Sequence, residues 1–122
     1  MKLSQLVNEV NQEQELYQLV DKLCKDLTDE HIKQFPTLND YNWNYEVGRK
    51  YIKVIQNNQY QRSVWGFINL TEFVNKKGVV FKVGDVLKAA GWATPTLNAP
   101  RGNLFDGYTV FGNRKYGPDY LI

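Results

Sequence analysis

The chain changes its hydrophobic period part-way along its length, and this change is the strongest constraint on its fold. Over residues 3–27 no glycine or proline interrupts the sequence, and apolar residues recur every three or four positions. This period is typical of an amphipathic α-helix. The polar segment at residues 11–15 leaves two alternatives open, one helix or two helices joined by a bend. We expect Thr28 to cap a further short helix that ends before Pro36.

From residue 49 onward the sequence predicts strands. The segments 49–55 and 62–70 alternate in side-chain character and are separated by a polar turn, which predicts a hairpin. Strict alternation along the second strand places Trp65 and Phe67 on one face. The other face of that strand then carries Val64, Gly66 and Ile68.

The remaining segments predict turns and short strands. Residues 37–45 are typical of a turn-rich connection. Glycine positions predict tight turns at Lys77-Gly78 and Gly84-Asp85. Short strands are expected at residues 79–83, 108–111 and 116–122, and residues 86–90 predict either a strand or one helical turn.

These elements predict one domain of the α+β class over residues 1–122. An N-terminal amphipathic helix, or two, packs on a small, curled antiparallel sheet, or partial β-barrel, of four to five strands. Residues 1–40 form an acidic helical head with four lysines against eight acidic residues. Residues 41–122 form a basic aromatic β body with eleven basic residues against five acidic ones, and they hold fifteen of the seventeen aromatic residues.

The cysteine and histidine content argues against metal and thiol chemistry. Cys24 is the only cysteine, so an internal disulfide is excluded, and its spacing from Val20 and Leu27 indicates a core residue. His31 is the only histidine and is expected to be a solvated residue near a helix end. We therefore predict no metal and no cofactor. The sequence also lacks a signal-peptide core and a bilayer-spanning run, which predicts a cytoplasmic protein with no membrane role.

Several sequence blocks carry a resemblance to a known group of proteins. Residues 81–107 read FKVGDVLKAAGWATPTLNAPRGNLFDG, and residues 116–122 read YGPDYLI. This pattern resembles small hypothetical proteins of tailed bacteriophages, in which K-x-G-D-x-L-K-x-A-x-W-x-x-P leads to R-G-N-x-F-D and a terminal Y-G-P-x-Y-L. The resemblance covers about residues 48–122. It implies a phage setting, and hence the cytoplasm of the host cell, but no established activity.

The segment Gly91–Gly107 is the first candidate binding site. Its glycines and prolines predict a stiff loop, and Trp92 offers a stacking face beside Arg101, a fork donor for phosphate or carboxylate. The alternative is that Trp92 and Phe105 plug the end of the sheet while Arg101 pairs with Asp106. The predicted ligand- or partner-binding residues of this loop are Lys88, Trp92, Arg101, Asn103 and Asp106.

The predicted hairpin is a second candidate site, since its basic and aromatic residues alternate along the strands. That composition is typical of a surface that stacks bases and neutralises phosphates. An ordinary sheet with one buried aromatic face is the alternative. The candidate nucleic-acid face consists of Arg49, Tyr51, Lys53, Arg62 and Trp65.

Three functions remain open at the level of sequence. The first is a small phage-encoded, non-enzymatic binding protein that acts by occupancy on a host protein or a nucleotide-like ligand. The second is a module that binds single-stranded nucleic acid. The third is a small enzyme that acts on a nucleotide or sugar through an isolated carboxylate, Asp85 or Asp106, although no catalytic motif is visible. The oligomeric state is open, and the acidic helical head is expected either to pack on the body or to mediate self-association.

Overall fold

The computed structural model describes residues 3–37, 40–59 and 61–108, with helix side chains described from Gln12 onward. Its N-terminal element is one continuous 32-residue helix, α1 (Leu3–Gln34). The expected second helix with a cap at Thr28 is therefore wrong, and the alternative of two separate helices divided at residues 11–15 is not observed. Four of the five polar residues at 11–15 are Gln or Glu, which are good helix formers, so the segment interrupts the apolar stripe without interrupting the helix.

Thr28 has a different role from the predicted cap. Its Oγ1 donates to the carbonyl oxygen of Cys24, 2.9 Å away within the same helix, and accepts from the backbone N–H of Trp43 at 3.2 Å. The hydroxyl therefore ties the last third of α1 to the first strand of the sheet.

The strands form two antiparallel sheets. The larger has four strands in the order β1-β2-β3-β6, and the smaller is the β4–β5 hairpin. Among the described residues the strands do not close into a barrel, and the predicted α+β class is confirmed. The strands are β1 (Asn42–Val47), β2 (Tyr51–Asn57), β3 (Arg62–Asn69), β4 (Phe73–Val74), β5 (Val80–Phe81) and β6 (Val86–Lys88), and a short 3₁₀ helix, η1, spans Leu104–Asp106.

Several predicted boundaries change. The β2–β3 hairpin is confirmed, and residues 86–88 form a strand rather than a helical turn. The connection expected at residues 37–45 contains β1, so that prediction is wrong over residues 42–45. The strands expected within residues 109–122 lie outside the described residues.

The four-stranded sheet has two unlike faces. The first, here called the helix face, packs Ile52, Val54 and Ile68 against α1. The second, here called the loop face, packs Phe67 and Leu87 against the β4–β5 hairpin and its connections. The buried residues that α1 contributes to the helix-face core are Leu16, Val20, Leu23, Cys24 and Leu27.

A β-bulge in β3 assigns its aromatic residues to different faces. Val54 pairs with Gly66, whereas the next residue, Ile55, pairs with Val64, so Trp65 is an extra residue in the ladder. The predicted shared face for Trp65 and Phe67 is therefore wrong. Trp65 belongs to the helix-face core, whereas Val64 packs with Phe67 on the loop face. The bulge reverses the alternation that sequence alone implies.

Candidate functional site

The segment after β6 is fixed by backbone hydrogen bonds along the outer edge of that strand. The N–H of Thr96 donates to the carbonyl oxygen of Lys88 at 2.7 Å, and the N–H of Arg101 donates to that of Val86 at 2.7 Å. In return, the N–H of Val86 donates to Gly102 at 2.8 Å. These bonds fasten residues 96–102 of the predicted loop to the outer edge of β6.

Trp92 lies on this segment and reaches back over the loop face. Its side chain is 47% exposed. The Nζ of Lys53 lies 4.3 Å from the ring centroid, and the Cζ of Arg62 lies 5.6 Å from it, both within cation–π range. The fold thus brings together one residue of the loop set and two of the hairpin set. We call Trp92, Lys53 and Arg62 the tryptophan surface.

The guanidinium of Arg62 is held in place by polar neighbours. It donates to Glu46 Oε1 at 2.8 Å and to Asn57 Oδ1 at 3.3 Å. Asn57 in turn donates through Nδ2 to Asn42 Oδ1 at 3.1 Å and to Asn44 Oδ1 at 3.0 Å. Because these amides lie on neighbouring strands, they form a polar row that borders the tryptophan surface.

A cleft of about 280 Å³ adjoins the tryptophan surface. Lys53 and Ala93 belong to its wall, which places the cleft directly beside Trp92. Among the charged side chains of the wall, three are cationic and one, Glu46, is anionic, so the cleft attracts anions. We call it the cationic cleft; its lining is Glu46, Val47, Gly48, Arg49, Lys50, Tyr51, Lys53, Phe67 and Ala93.

The other predicted loop residues do not join the tryptophan surface. Lys88 follows the alternation of Val86, which belongs to the helix-face core, and so lies on the opposite face of the sheet. Arg101 donates through Nη1 to Asn98 Oδ1 at 3.1 Å and to the carbonyl oxygen of Ala99, rather than pairing with Asp106.

Asn103 organises the chain around η1. Its Oδ1 accepts from the N–H of Phe105 at 2.8 Å and caps η1, while its Nδ2 donates to Asp85 Oδ1 at 2.9 Å. The other oxygen of Asp85 accepts from the N–H of Lys82 at 2.6 Å, and the Asp85 side chain is buried. The predicted turn at Gly84-Asp85 is thereby confirmed, with Gly84 at φ 89°. Asp106 is exposed on η1.

Two predicted surface residues are buried. Trp65 is only 2% exposed on the helix face, so it provides no stacking platform for a base. His31 is also buried, and its ring centroid lies 4.3 Å from that of Tyr41, so the expected solvated histidine is wrong. The amphipathic stripe of the continuous helix extends one turn beyond Leu27, which directs His31 inward.

Cys24 behaves as predicted. It is buried in the helix-face core, and this burial, together with the nearby charge of Asp21, raises the pKa of its thiol to about 12. A thiol with so high a pKa is a poor nucleophile at neutral pH.

The sequence analysis missed Lys50 and the polar row of β1 and β2. The signal was present in the sequence of β1. There Asn42, Asn44 and Glu46 alternate with Trp43, Tyr45 and Val47. Asparagines suggested a turn, and the strand was therefore not recognised. Without β1, the partners of Asn57 and Arg62 could not be inferred.

Over the described part of the chain, no helix combines the length and the apolar character needed to cross a membrane. Comparison with curated proteins and with solved structures found no match. The model of a family of unknown function, DUF7717, matches residues 4–111, which include every described helix and strand except the first residue of α1. The chain therefore belongs to that family.

Proposed function

We propose that this chain is a small binding protein that acts by occupancy and holds a nucleotide-like ligand across the tryptophan surface and the cationic cleft. One observation carries the proposal. A half-exposed indole lies over Lys53, and Lys53 also lines a cleft that contains Arg49 and Lys50. A planar ring and an anionic group on the same ligand would match these two adjoining surfaces.

The two parts of the site supply different contributions to affinity. Stacking of a base on an aromatic side chain is worth about 1–3 kcal/mol. The cleft contributes charge, because the guanidinium of Arg49 and the ammonium groups of Lys50 and Lys53 all suit phosphate oxygens. Since the segment after β6, which carries Trp92, is hydrogen-bonded along β6, little ordering entropy opposes binding.

Single-stranded nucleic acid is a second candidate ligand of the same site. It is favoured by the convergence of cations from β2 and β3 with the tryptophan on one face. A strand would follow this face, with one base stacked on Trp92 and its phosphates beside the lysines and arginines. Salt dependence separates a strand, with several phosphates, from a mononucleotide, with few.

The resemblance of residues 48–122 to proteins of tailed bacteriophages supports an infected host cell as the setting. In that setting a protein without its own reaction could act by sequestering its ligand. For Asp85 the carboxylate alternative is less well supported, because both of its oxygens already accept hydrogen bonds within the fold.

Tryptophan fluorescence offers a selective test. Of the three tryptophans, Trp43 and Trp65 are 5% and 2% exposed, so Trp92 is the one that a ligand in solution can quench. We would titrate the protein with AMP, ATP, inorganic phosphate and a short oligo-dT strand at low and high salt. Saturable quenching by a nucleotide, but not by phosphate alone, is the expected result.

Variants locate the binding. Thermal shift should report the same ligand, since a ligand at a hundred times its Kd adds about 2.7 kcal/mol of stability. We expect Trp92→Leu to weaken binding by about 5–100-fold, which corresponds to loss of one stacked base. Arg49→Ala should also weaken it, whereas Lys33→Ala, an exposed lysine on α1, should not.

The outcomes divide clearly. Binding of oligo-dT alone, with steep loss at high salt, supports the nucleic-acid candidate and overturns the nucleotide one. If no probe quenches or stabilises the protein at low salt, both are wrong. Equal affinities for wild-type protein and the Trp92→Leu variant would show that binding occurs elsewhere.

A further inference from the structure

The β4–β5 hairpin presents apolar side chains on both of its sides. Phe73 and Phe81 are cross-strand partners whose rings stack at 4.6 Å on the inner side, as part of the loop-face cluster. The next cross-strand pair, Val74 and Val80, therefore points outward. Val74 is 61% exposed and Val80 is 45% exposed.

Asn75 joins this hairpin to the segment that follows β6. Its Oδ1 accepts from the N–H groups of Lys77 and Val79, both at 2.9 Å, and so shapes the turn. Its Nδ2 donates to the carbonyl oxygen of Leu97 at 3.0 Å. A single amide thus holds two separate stretches of chain at a fixed distance.

Between these two stretches lies an apolar cleft of about 490 Å³, here called the hairpin cleft. Val74 lies on the hairpin side and Leu97, 41% exposed, on the other. Two exposed lysines, Lys76 and Lys77, belong to the same wall. No carboxylate is among the residues described in its lining, which are Phe73, Val74, Asn75, Lys76, Lys77, Leu97 and Asn98.

We propose that the hairpin cleft docks an acidic segment of a partner protein, which inserts one apolar side chain between Val74 and Leu97. Lys76 and Lys77 supply the charge complementarity that selects acidic flanks. Exposed apolar residues grouped around a concave surface and bordered by charges are typical of protein-interaction sites.

The chemistry of the cleft favours a polypeptide over a nucleic acid. Phe73 is the only aromatic residue among the described residues of its lining, and one face of its ring is already stacked on Phe81. A base would therefore find at most one ring face there, whereas an apolar side chain needs only the apolar wall. The hairpin cleft also shares no lining residue with the cationic cleft, so this proposal does not depend on the proposed ligand.

The test is selection of a random peptide library against the full-length protein, followed by titration of the selected peptides. We expect enriched sequences that carry one apolar residue with acidic residues on either side. The double variant Lys76→Glu/Lys77→Glu should weaken their binding at least about tenfold by reversing the complementary charge. Lys33→Glu on α1 reverses a charge away from the cleft and, as the control, should leave binding unchanged.

Two further variants test the apolar part and the shape of the cleft. Leu97→Asp should abolish binding, and because Leu97 is exposed the variant should keep the unfolding midpoint of the wild type. Asn75→Asp keeps the turn acceptor but loses the donor to Leu97, so it should weaken binding while leaving the turn intact. Ellipticity and unfolding midpoint are measured for each variant.

Several results would overturn the proposal. Enriched peptides without acidic residues, or peptides whose affinity is the same for the wild type and the Leu97→Asp variant, would each do so. Concentration-dependent self-association lost in Leu97→Asp would show that a second copy of the chain is the occupant. Binding of oligo-dT that is lost in the Lys76→Glu/Lys77→Glu variant would make the cleft a nucleic-acid site.

Discussion

The helix face and the loop face of the sheet are built from the same strands but form surfaces of opposite character. On the helix face, Ile52, Val54 and Ile68 are fully buried under α1. On the loop face, the β4–β5 hairpin covers one part, and the remainder carries Lys53 and Arg62 beside a half-exposed tryptophan. Strand alternation is what permits this division, since successive side chains point to opposite faces. One face can therefore supply stability while the other keeps polar groups for recognition.

The largest difference between the faces should appear in stability. We expect Leu27→Ala, on the fully buried helix side, to lower the free energy of unfolding by about 2–5 kcal/mol. Lys53→Ala should cost less than about 1 kcal/mol, because exposed cation–π pairs are weak. Urea unfolding measures both. Equal losses would mean that the tryptophan surface is part of the core and not a surface poised for a ligand.

A smaller loss of stability is expected from substitution of two glycines in turns, Gly78 between β4 and β5 and Gly84 between β5 and β6. Gly84 and Gly78 have φ values of 89° and 83°, and an alanine at such an angle costs about 1–2 kcal/mol. A Cβ on Gly84 would also lie 2.7 Å from Cδ2 of Phe105, whereas one on Gly78 would meet nothing within 4 Å.

Gly84→Ala should therefore be the more destabilising of the two changes. Gly91→Ala serves as the control, because Gly91 has no positive φ and open space around it. That variant should be neutral or more stable by up to about 1 kcal/mol. Thermal unfolding of the three variants gives the ranking. A ranking with Gly91→Ala as the most destabilising would show that the backbone of the segment after β6 is strained.

The smallest expected effect on stability at neutral pH comes from ionisation of the Cys24 thiol in the helix-face core. Its pKa is raised from 9.0 to about 12 on folding, so the folded state disfavours the thiolate. The stability linked to this thiol is fully present below pH 9 and is lost as the pH rises towards 12. At pH 9 a disulfide reagent such as DTNB should modify the native protein far more slowly than the urea-unfolded protein. Equal rates would place the cysteine at a surface.

Local pattern was sufficient for much of the fold. The helix, the β2–β3 hairpin and the turns at Lys77-Gly78 and Gly84-Asp85 each depend on neighbouring residues, and all four occur in the structure. The strand β1 was missed because its asparagines are poor strand formers in isolation. Pairing of its full length with β2 stabilises it, and that pairing is a tertiary effect.

The sequence predicted individual residues of the candidate site but not that they lie together. Trp92, Lys53 and Arg62 were each identified from their chemistry, but they lie far apart in sequence, and their meeting depends on the path of the segment after β6. Trp65 was assigned to the wrong face because a single extra residue in a ladder leaves no local signal. Side-chain chemistry can thus be read from one residue, whereas the face it occupies depends on the register of the whole sheet.

The hydrogen bonds at the rim of the sheet have one more consequence. The outer side of β6 is occupied by the segment containing Thr96 and Arg101, and an outward amide of β1 is taken by the hydroxyl of Thr28. Unsatisfied strand borders are where foreign chains add on and where amyloid-like growth starts. Because these backbone groups are bonded within the chain, the outer side of β6 and this position of β1 offer fewer unpaired groups to a second copy, while the cationic and aromatic face stays open to solvent.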